Sequence, residues 1–204
     1  MHTDYRLVLA TRNPGKVDEI RALLADLSVA LMPADALEAP LDVVEDANTL
    51  TGNAEKKAMA YYRHTGMPAL ADDTGLEVDA LDGAPGVHTA RFAGPDASDA
   101  DNIAALLEAL DDVPLPKRTA RFRTVVCFVD SNGTPHTFHG VCEGRILPSP
   151  RGDGGFGYDP IFMPNEDTHS FAEMDADAKN AISHRKKALA AFASFFDSFL
   201  KAES

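Results

Sequence analysis

Apolar positions recur along this chain at two spacings, and the change from one to the other marks its elements. Leu7-Val8-Leu9-Ala10 is continuously apolar, which predicts a short strand buried on both faces. After Thr11-Arg12-Asn13-Pro14-Gly15-Lys16, residues Val17, Ile20, Leu23, Leu24 and Leu27 share one helical face. Asn13 suits the N-cap and Pro14 the first helical position, where a missing N–H costs nothing. This strand–loop–helix order aims unpaired backbone N–H groups, with Lys16 in the first turn, at whatever lies beyond the strand's carboxyl end. A second helix is predicted over residues 51–64, with Leu50, Ala54, Ala58 and Tyr61 on one face and Gly66 and Pro68 as its stop. Lys57 falls on that apolar face; Lys56, about 100° around, does not.

Pro68-Ala69-Leu70-Ala71 reads as a short buried strand ending at Asp72-Asp73-Thr74-Gly75, followed by Leu76, Val78 and Ala80 alternating with polar residues. Gly83-Ala84-Pro85-Gly86 reads as a loop. Ser98 and Asp101 resemble a capping box opening a helix that carries Ile103, Leu106, Leu107 and Leu110 and stops before Pro114 and Pro116. Residues 121–130 and 134–146 are β-rich runs joined by Ser131-Asn132-Gly133, which predicts a hairpin. Residues 151–160 are the most glycine-dense stretch, and the last segment is helical from about Ser183, with Leu189, Phe192, Phe196 and Phe199 near one face. Strands alternating with helices over 204 residues, 45% of them hydrophobic, predict one α/β domain spanning 1–204.

Composition narrows the partners. A net charge of −13 repels polyanions, which argues against nucleic acid and against an anionic membrane. An anionic small molecule would need metal, a few placed cations or helix-end N–H groups. The bias of the acidic residues towards Asp reads either as compositional drift or as adaptation to a salty cytoplasm. Cys127 and Cys142 lie in strand-like runs and read as core thiols. The opening residues 1–6 carry no export signal and no apolar run approaches membrane-spanning length, so a cytoplasmic protein is expected.

Several residues could carry chemistry. Asp72 and Asp73 cannot point the same way while a strand persists, so one leads and the other orients or supports; the bland alternative is a polar turn. Oxygen-only ligands favour Mg²⁺, with Glu45 as a second carboxylate. Lys57 either snorkels to the surface or meets a phosphate. The glycines around Phe156 and Tyr158 permit close backbone approach or simply make turns, and the two rings are stacking surfaces or core plugs. Lys179, Ser183, His184 and Arg185 place polar and cationic groups where the final helix begins. No Gly-x-x-x-x-Gly-Lys-Ser/Thr loop, G-x-G-x-x-G fingerprint or nucleophile elbow is present, which weakens kinase and hydride-transfer readings.

The ordered set Thr11-x-Asn13-x-x-Lys16, Ala71-Asp72-Asp73-Thr74-Gly75-Leu76, Gly83-Ala84-Pro85-Gly86-Val87, Gly154-Gly155-Phe156-Gly157-Tyr158-Asp159-Pro160 and Ile182-Ser183-His184-Arg185 resembles the inosine/xanthosine triphosphate pyrophosphatase family over nearly the whole chain. That resemblance implies an α/β fold with a long central mixed sheet, flanking helices, and two lobes with the active-site cleft between them, assembled as a homodimer. It implies hydrolysis of dITP, ITP and XTP to monophosphate and pyrophosphate, which cleanses the nucleotide pool of deaminated purines. Thr11, Arg12, Asn13, Pro14, Gly15 and Lys16 would hold the triphosphate. Asp73 and Lys57 would be catalytic, and Glu45 with Asp73 would hold Mg²⁺. Thr74, Phe156, Gly157, Tyr158, Asp159, Lys179, His184 and Arg185 would complete the substrate site, His184 and Arg185 reading the 6-oxo edge. The family's Glu-Thr-Gly and Glu-Asn-Ala strings read here as Glu45-Asp46-Ala47 and Gly52-Asn53-Ala54; Glu45 is kept and the acidic residue before Asn53 is missing. Two other readings compete: a nucleotide-binding regulator without turnover, against which Lys16, Lys57 and Asp73 stand together, and a pyrophosphatase of the related septum-inhibitor family, against which the Phe156 loop and His184-Arg185 stand.

Overall fold

In the computed structural model, which describes residues 5–37 and 41–202, the uninterrupted apolar run becomes β1 (Tyr5–Leu9), parallel to β2 (Val29–Pro33) and to β3 (Ala69–Val78). Leu9 is in register with Pro33 on one side and Leu70 on the other. Leu7, Val8, Leu9 and Ala10 are all fully buried, so both faces of this part of the strand are covered and the run shows no alternation. Between β1 and β2 runs α1 (Pro14–Leu23), capped by Asn13 as predicted. Its C-cap is Leu24, so Leu27 lies past the helix, although it still packs against the core. No periodicity predicts β2, because its side chains are mostly half exposed and carry no clear alternation.

Asp72-Asp73-Thr74-Gly75 is not the end of a strand. The ten residues of β3 run through it without a break, and the polar side chains that suggested a boundary are accommodated by buried partners. Part of the expected loop at 83–86 is a two-residue strand, β4 (Pro85–Gly86), paired antiparallel with Leu76 and Glu77. The hairpin of β5 (Thr119–Val129) and β6 (Pro135–Ile146) turns at Gly133, whose φ is 79°. There Asp130 accepts from the N–H groups of Asn132 and Thr134. With β7 (Phe162–Pro164) antiparallel to β6, the strand order is β2-β1-β3-β5-β6-β7, β4 lying off this path on β3.

The predicted helices are α2 (Leu50–Thr65), closed by Gly66 in the left-handed region, and α3 (Asp99–Ala109), opened by the Ser98–Asp101 capping box. A seven-residue helix that the periodicity missed, α4 (Ala176–Ile182), ends on Ser183, so the last helix, α5 (His184–Ala202), begins one residue later than expected.

The chain forms two compact units. The first takes the chain through Asp73, then Thr124–Gly140, then everything from Arg185; its core joins Leu7, Leu9, Ile20, Leu70 and Phe128 to Leu189, Phe192 and Phe196 of α5. The second takes Thr74–Arg123 and Val141–His184, around Leu76, Leu106, Leu110, Phe122, Ile146, Phe162 and Phe171. Cys127 and Cys142 are buried free thiols. Residues 1–4, part of the start read as free of an export signal, lie outside the described residues. Among the described residues no helix is long and apolar enough to cross a membrane.

Candidate active site

Alternation along β3 sends its two aspartates to different partners, both within the first unit. Asp72, 1% exposed, lies 3.1 Å from Lys16 Nζ and accepts from Arg185 Nε and Nη2 at 3.3 and 3.2 Å. Arg185 Nη1 also donates to Glu19 on α1. The result is a line of alternating charge, Glu19–Arg185–Asp72–Lys16, built from α1, β3 and α5. Burial pushes the Asp72 carboxyl up, but Lys16 and Arg185 outweigh it and hold the group well below the usual carboxylate range. Lys16 is shifted down, chiefly by burial and against the pull of Asp72.

Asp73 turns towards α2. Asn53, 1% exposed, donates through Nδ2 to Asp73 Oδ2 at 3.1 Å. Burial drives the Asp73 carboxyl up to about 6, with the charge of Glu45 adding to the shift and Lys16 and Lys57 opposing it. Lys57 sits on the buried face of α2, as its spacing predicted, with Nζ 2.9 Å from Glu45 Oε2. Lys56 points outward to Asp46.

Residues 53, 57 and 61 are one helical turn apart, and together they fasten the extended segment 41–47 along α2. Tyr61 Oη donates to the Leu41 carbonyl at 3.1 Å, Lys57 pairs with Glu45, and Asn53 Oδ1 accepts from the Ala47 N–H at 2.9 Å. The departure from the family strings has a steric reading here. A Cβ at Gly52 would lie 2.9 Å from the Ala47 Cβ and 3.1 Å from the Thr49 hydroxyl, so an alanine at 47 goes with a glycine at 52. The capping-box glutamate that position 52 could supply to Thr49 is thereby given up, and Thr49 alone caps the Gly52 N–H.

Among the described residues no group of three or more His, Cys, Asp and Glu could ligate a metal by itself. Glu45 and Asp73, two carboxylates close enough for the charge of one to raise the other's pKa, suit a hard cation that takes its remaining oxygens from water and phosphate. This donor set fits Mg²⁺ and does not fit a closed tetrahedral zinc site. At the start of α1, Asn13 Oδ1 accepts from the Lys16 N–H at 3.1 Å, and the Asn13 N–H donates to the buried Thr11 hydroxyl at 3.3 Å. Pro14 and Gly15 form the first turn of the helix. Arg12 is exposed and pairs with Asp42.

In the second unit the glycine-rich segment is organised by Asp159. Its Oδ2 accepts from the Phe156 N–H at 2.9 Å and from Lys179 Nζ at 2.7 Å. Lys179 Nζ lies 4.8 Å from the centre of the half-buried Phe156 ring. Gly155 has a φ of 71°, and a Cβ there would come within 2.1 Å of Asp159 Oδ2, so this glycine is required by close approach. The Gly157 N–H donates to Asp99, the first residue of α3, at 2.7 Å. Tyr158 is a core plug: its ring is 2% exposed and its hydroxyl donates to the Thr89 carbonyl, which leaves its backbone for any ligand. His184 stacks on Phe122 with centroids 4.7 Å apart. Thr74, half buried, is the first residue of this unit.

Lys16, Lys57, Glu45 and Asp73 are thus brought together, as are Phe156, Asp159 and Lys179. Arg185 departs from the expected pairing with His184: its guanidinium is 1% exposed and forks onto Asp72 and Glu19, because successive residues at the start of a helix point about 100° apart. Asn53, Glu19 and Asp99 were not anticipated. Asn53 had a signal, a polar residue four before Lys57 on the apolar face of α2; Glu19 and Asp99 had none, since their partners are distant in sequence.

The Ham1 family model matches residues 7–195. A protein from Desulforamulus reducens described as dITP/XTP pyrophosphatase is 52% identical over 184 residues, covering 90% of this chain and 92% of its own. One of the same description from Geobacter sulfurreducens is 50% identical, covering 91% and 93%. The solved structure of a HAM1 protein from Coxiella burnetii superposes with a TM-score of 0.86 at 42% identity, covering 95% of this chain and 98% of its own. Matched by the family model over residues 7–195 and by relatives about half identical along nearly its whole length, the chain belongs to the Ham1 family.

Proposed function

We propose that residues 1–204 act as one catalytic domain that hydrolyses dITP, ITP and XTP to the monophosphate and pyrophosphate. The observation that carries this reading is Asp73, a buried carboxylate held near pKa 6 beside Lys16, Lys57 and Glu45, in a chain about half identical to proteins described as dITP/XTP pyrophosphatases. A carboxylate of that basicity suits proton removal from water near neutral pH. Water attacks the α-phosphorus, its proton passes to an Asp73 oxygen, and the bond to the α,β-bridging oxygen breaks as pyrophosphate leaves. Lys16 and Lys57 meet the charge of the triphosphate, and the first turn of α1 offers it N–H groups. Glu45 and Asp73 would hold Mg²⁺, which when bound neutralises phosphate charge and assists the leaving group.

In this reading the base is taken by Phe156 and His184. Phe156 supplies a stacking face, Lys179 and Asp159 fix the segment that carries it, and His184 offers a donor to the 6-oxo group. An adenine amino group there would leave buried donors unsatisfied. Arg185 serves the phosphate end by holding Asp72 and, through it, Lys16. A homodimer in the cytoplasm completes the reading.

The test is incubation of the purified protein with Mg²⁺ and, separately, dITP, XTP, dGTP, dATP and dTTP, with identification of the products. Pyrophosphate from dITP and XTP alone is the expected result. Equal turnover of all five overturns the specificity, and turnover of none favours a nucleotide-binding regulator.

A further inference from the structure

We propose that Asn53 is a positioning residue that fixes the two metal-facing carboxylates relative to each other, using both ends of one buried carboxamide. The proposal rests on the assignment of Glu45 and Asp73 given above. Nδ2 donates to Asp73 Oδ2 at 3.1 Å, and Oδ1 accepts from the Ala47 N–H at 2.9 Å. Ala47 is two residues beyond Glu45 in a segment without helix or strand hydrogen bonds, so that N–H is one of the points at which the segment is tied to α2. The orientation of the amide follows from its partners, since a carboxylate requires a donor and an N–H requires an acceptor.

Three features argue that this bond pair is a device for placement and more than buried polar filling. Asn53 is 1% exposed at the start of a helix whose buried positions also include Leu50, Ala54 and Ala58 beside Lys57; an apolar side chain would suit the apolar part of that face without needing partners. Its two partners lie on different elements, β3 and the 41–47 segment. A second tie near Glu45 is the ion pair to Lys57, and both of its members are assigned here to ligands, Lys57 to phosphate and Glu45 to metal. Once substrate and metal engage those two groups, the bond from the Ala47 N–H to Asn53 Oδ1 still holds the segment, because neither of its members is assigned to a ligand. Residues that orient a metal ligand through hydrogen bonds commonly contribute about 10–100-fold to metal affinity or activity.

The experiment compares wild type with Asn53→Leu, which keeps the branched heavy-atom outline and removes both bonds, and Asn53→Gln, which keeps both groups but is one methylene too long. Mn²⁺ affinity is measured by calorimetry without nucleotide, kcat and KM are measured with dITP, and folding is followed by thermal melting. The expected result is graded: Mn²⁺ affinity and kcat fall together, about 10–100-fold for Leu and less for Gln, while KM for dITP moves less than threefold. A lowered melting temperature with Mn²⁺ affinity and kcat both within twofold of wild type would overturn the proposal, leaving Asn53 a structural residue. If Asn53→Leu does not fold, Asn53→Gln decides by the same criterion. Failure of wild type to turn over dITP would sink the proposed activity, yet the Mn²⁺ measurement would still report on Asn53.

Discussion

Asp73 carries a charge where its surroundings disfavour one, and that has a measurable sign. Its carboxyl titrates near 6 in the folded protein and near 3.9 in an unfolded chain. Between those values the folded state binds the extra proton, so this group's contribution to stability falls as pH rises from about 4 through about 6 and is then constant. Without divalent metal, Asp73→Asn should therefore match wild type near pH 4 and exceed it at pH 8 by about 2–3 kcal/mol, as read by urea denaturation with a chelator present. The same variant should lose at least about a hundredfold in hydrolysis. Equal stability differences at pH 4 and pH 8 would refute the assignment of that pKa. The opposite behaviour of Asp72 follows from strand alternation, which the sequence made legible. Its identity as an ion-pair partner was not, because Arg185 is 113 residues away and no periodicity encodes a contact at that range.

Elements defined by local chemistry were readable from the sequence: the Asn13 and Ser98 caps, the Gly66 stop and the hairpin turn at Gly133 all depend on residues within a turn or two of one another. Those that depend on distant partners were not. The continuation of β3 through Asp72 to Gly75 needs cations from two helices, and α4 is too short to show a helical period. The glycine-rich segment lies between these cases. Its glycines announced tight backbone, but only the fold shows that Gly155 is small so that Asp159 can reach the Phe156 N–H. Gly155→Ala should displace Asp159 from Phe156 and Lys179, raising KM for dITP about tenfold, with kcat changed less and stability lowered by about 1–3 kcal/mol. Steady-state kinetics showing an unchanged KM would remove this segment from base recognition.

At the scale of the whole chain, a net charge of −13 coexists with Lys16, Lys57 and Arg185 gathered around two aspartates of one strand, so capture of an anion is a local property set against the global field. The core of the first unit is equally non-local. Phe196, fully buried on α5, meets Phe128 edge to face at 5.6 Å and Tyr5 at 5.1 Å. Phe196→Ala should cost about 3–5 kcal/mol in urea denaturation, and a loss under about 1 kcal/mol would contradict that packing. The same arrangement bears on how the chain is made. About 175 residues separate the end of β1 from the start of α5, an interval of roughly ten to thirty-five seconds of translation at about 5–20 residues per second. During that interval the apolar strands already synthesised lack the helix that covers them. The unit begun first is the last to close, and newly made chains depend on whatever shields Leu7, Leu9 and Phe128 until α5 emerges.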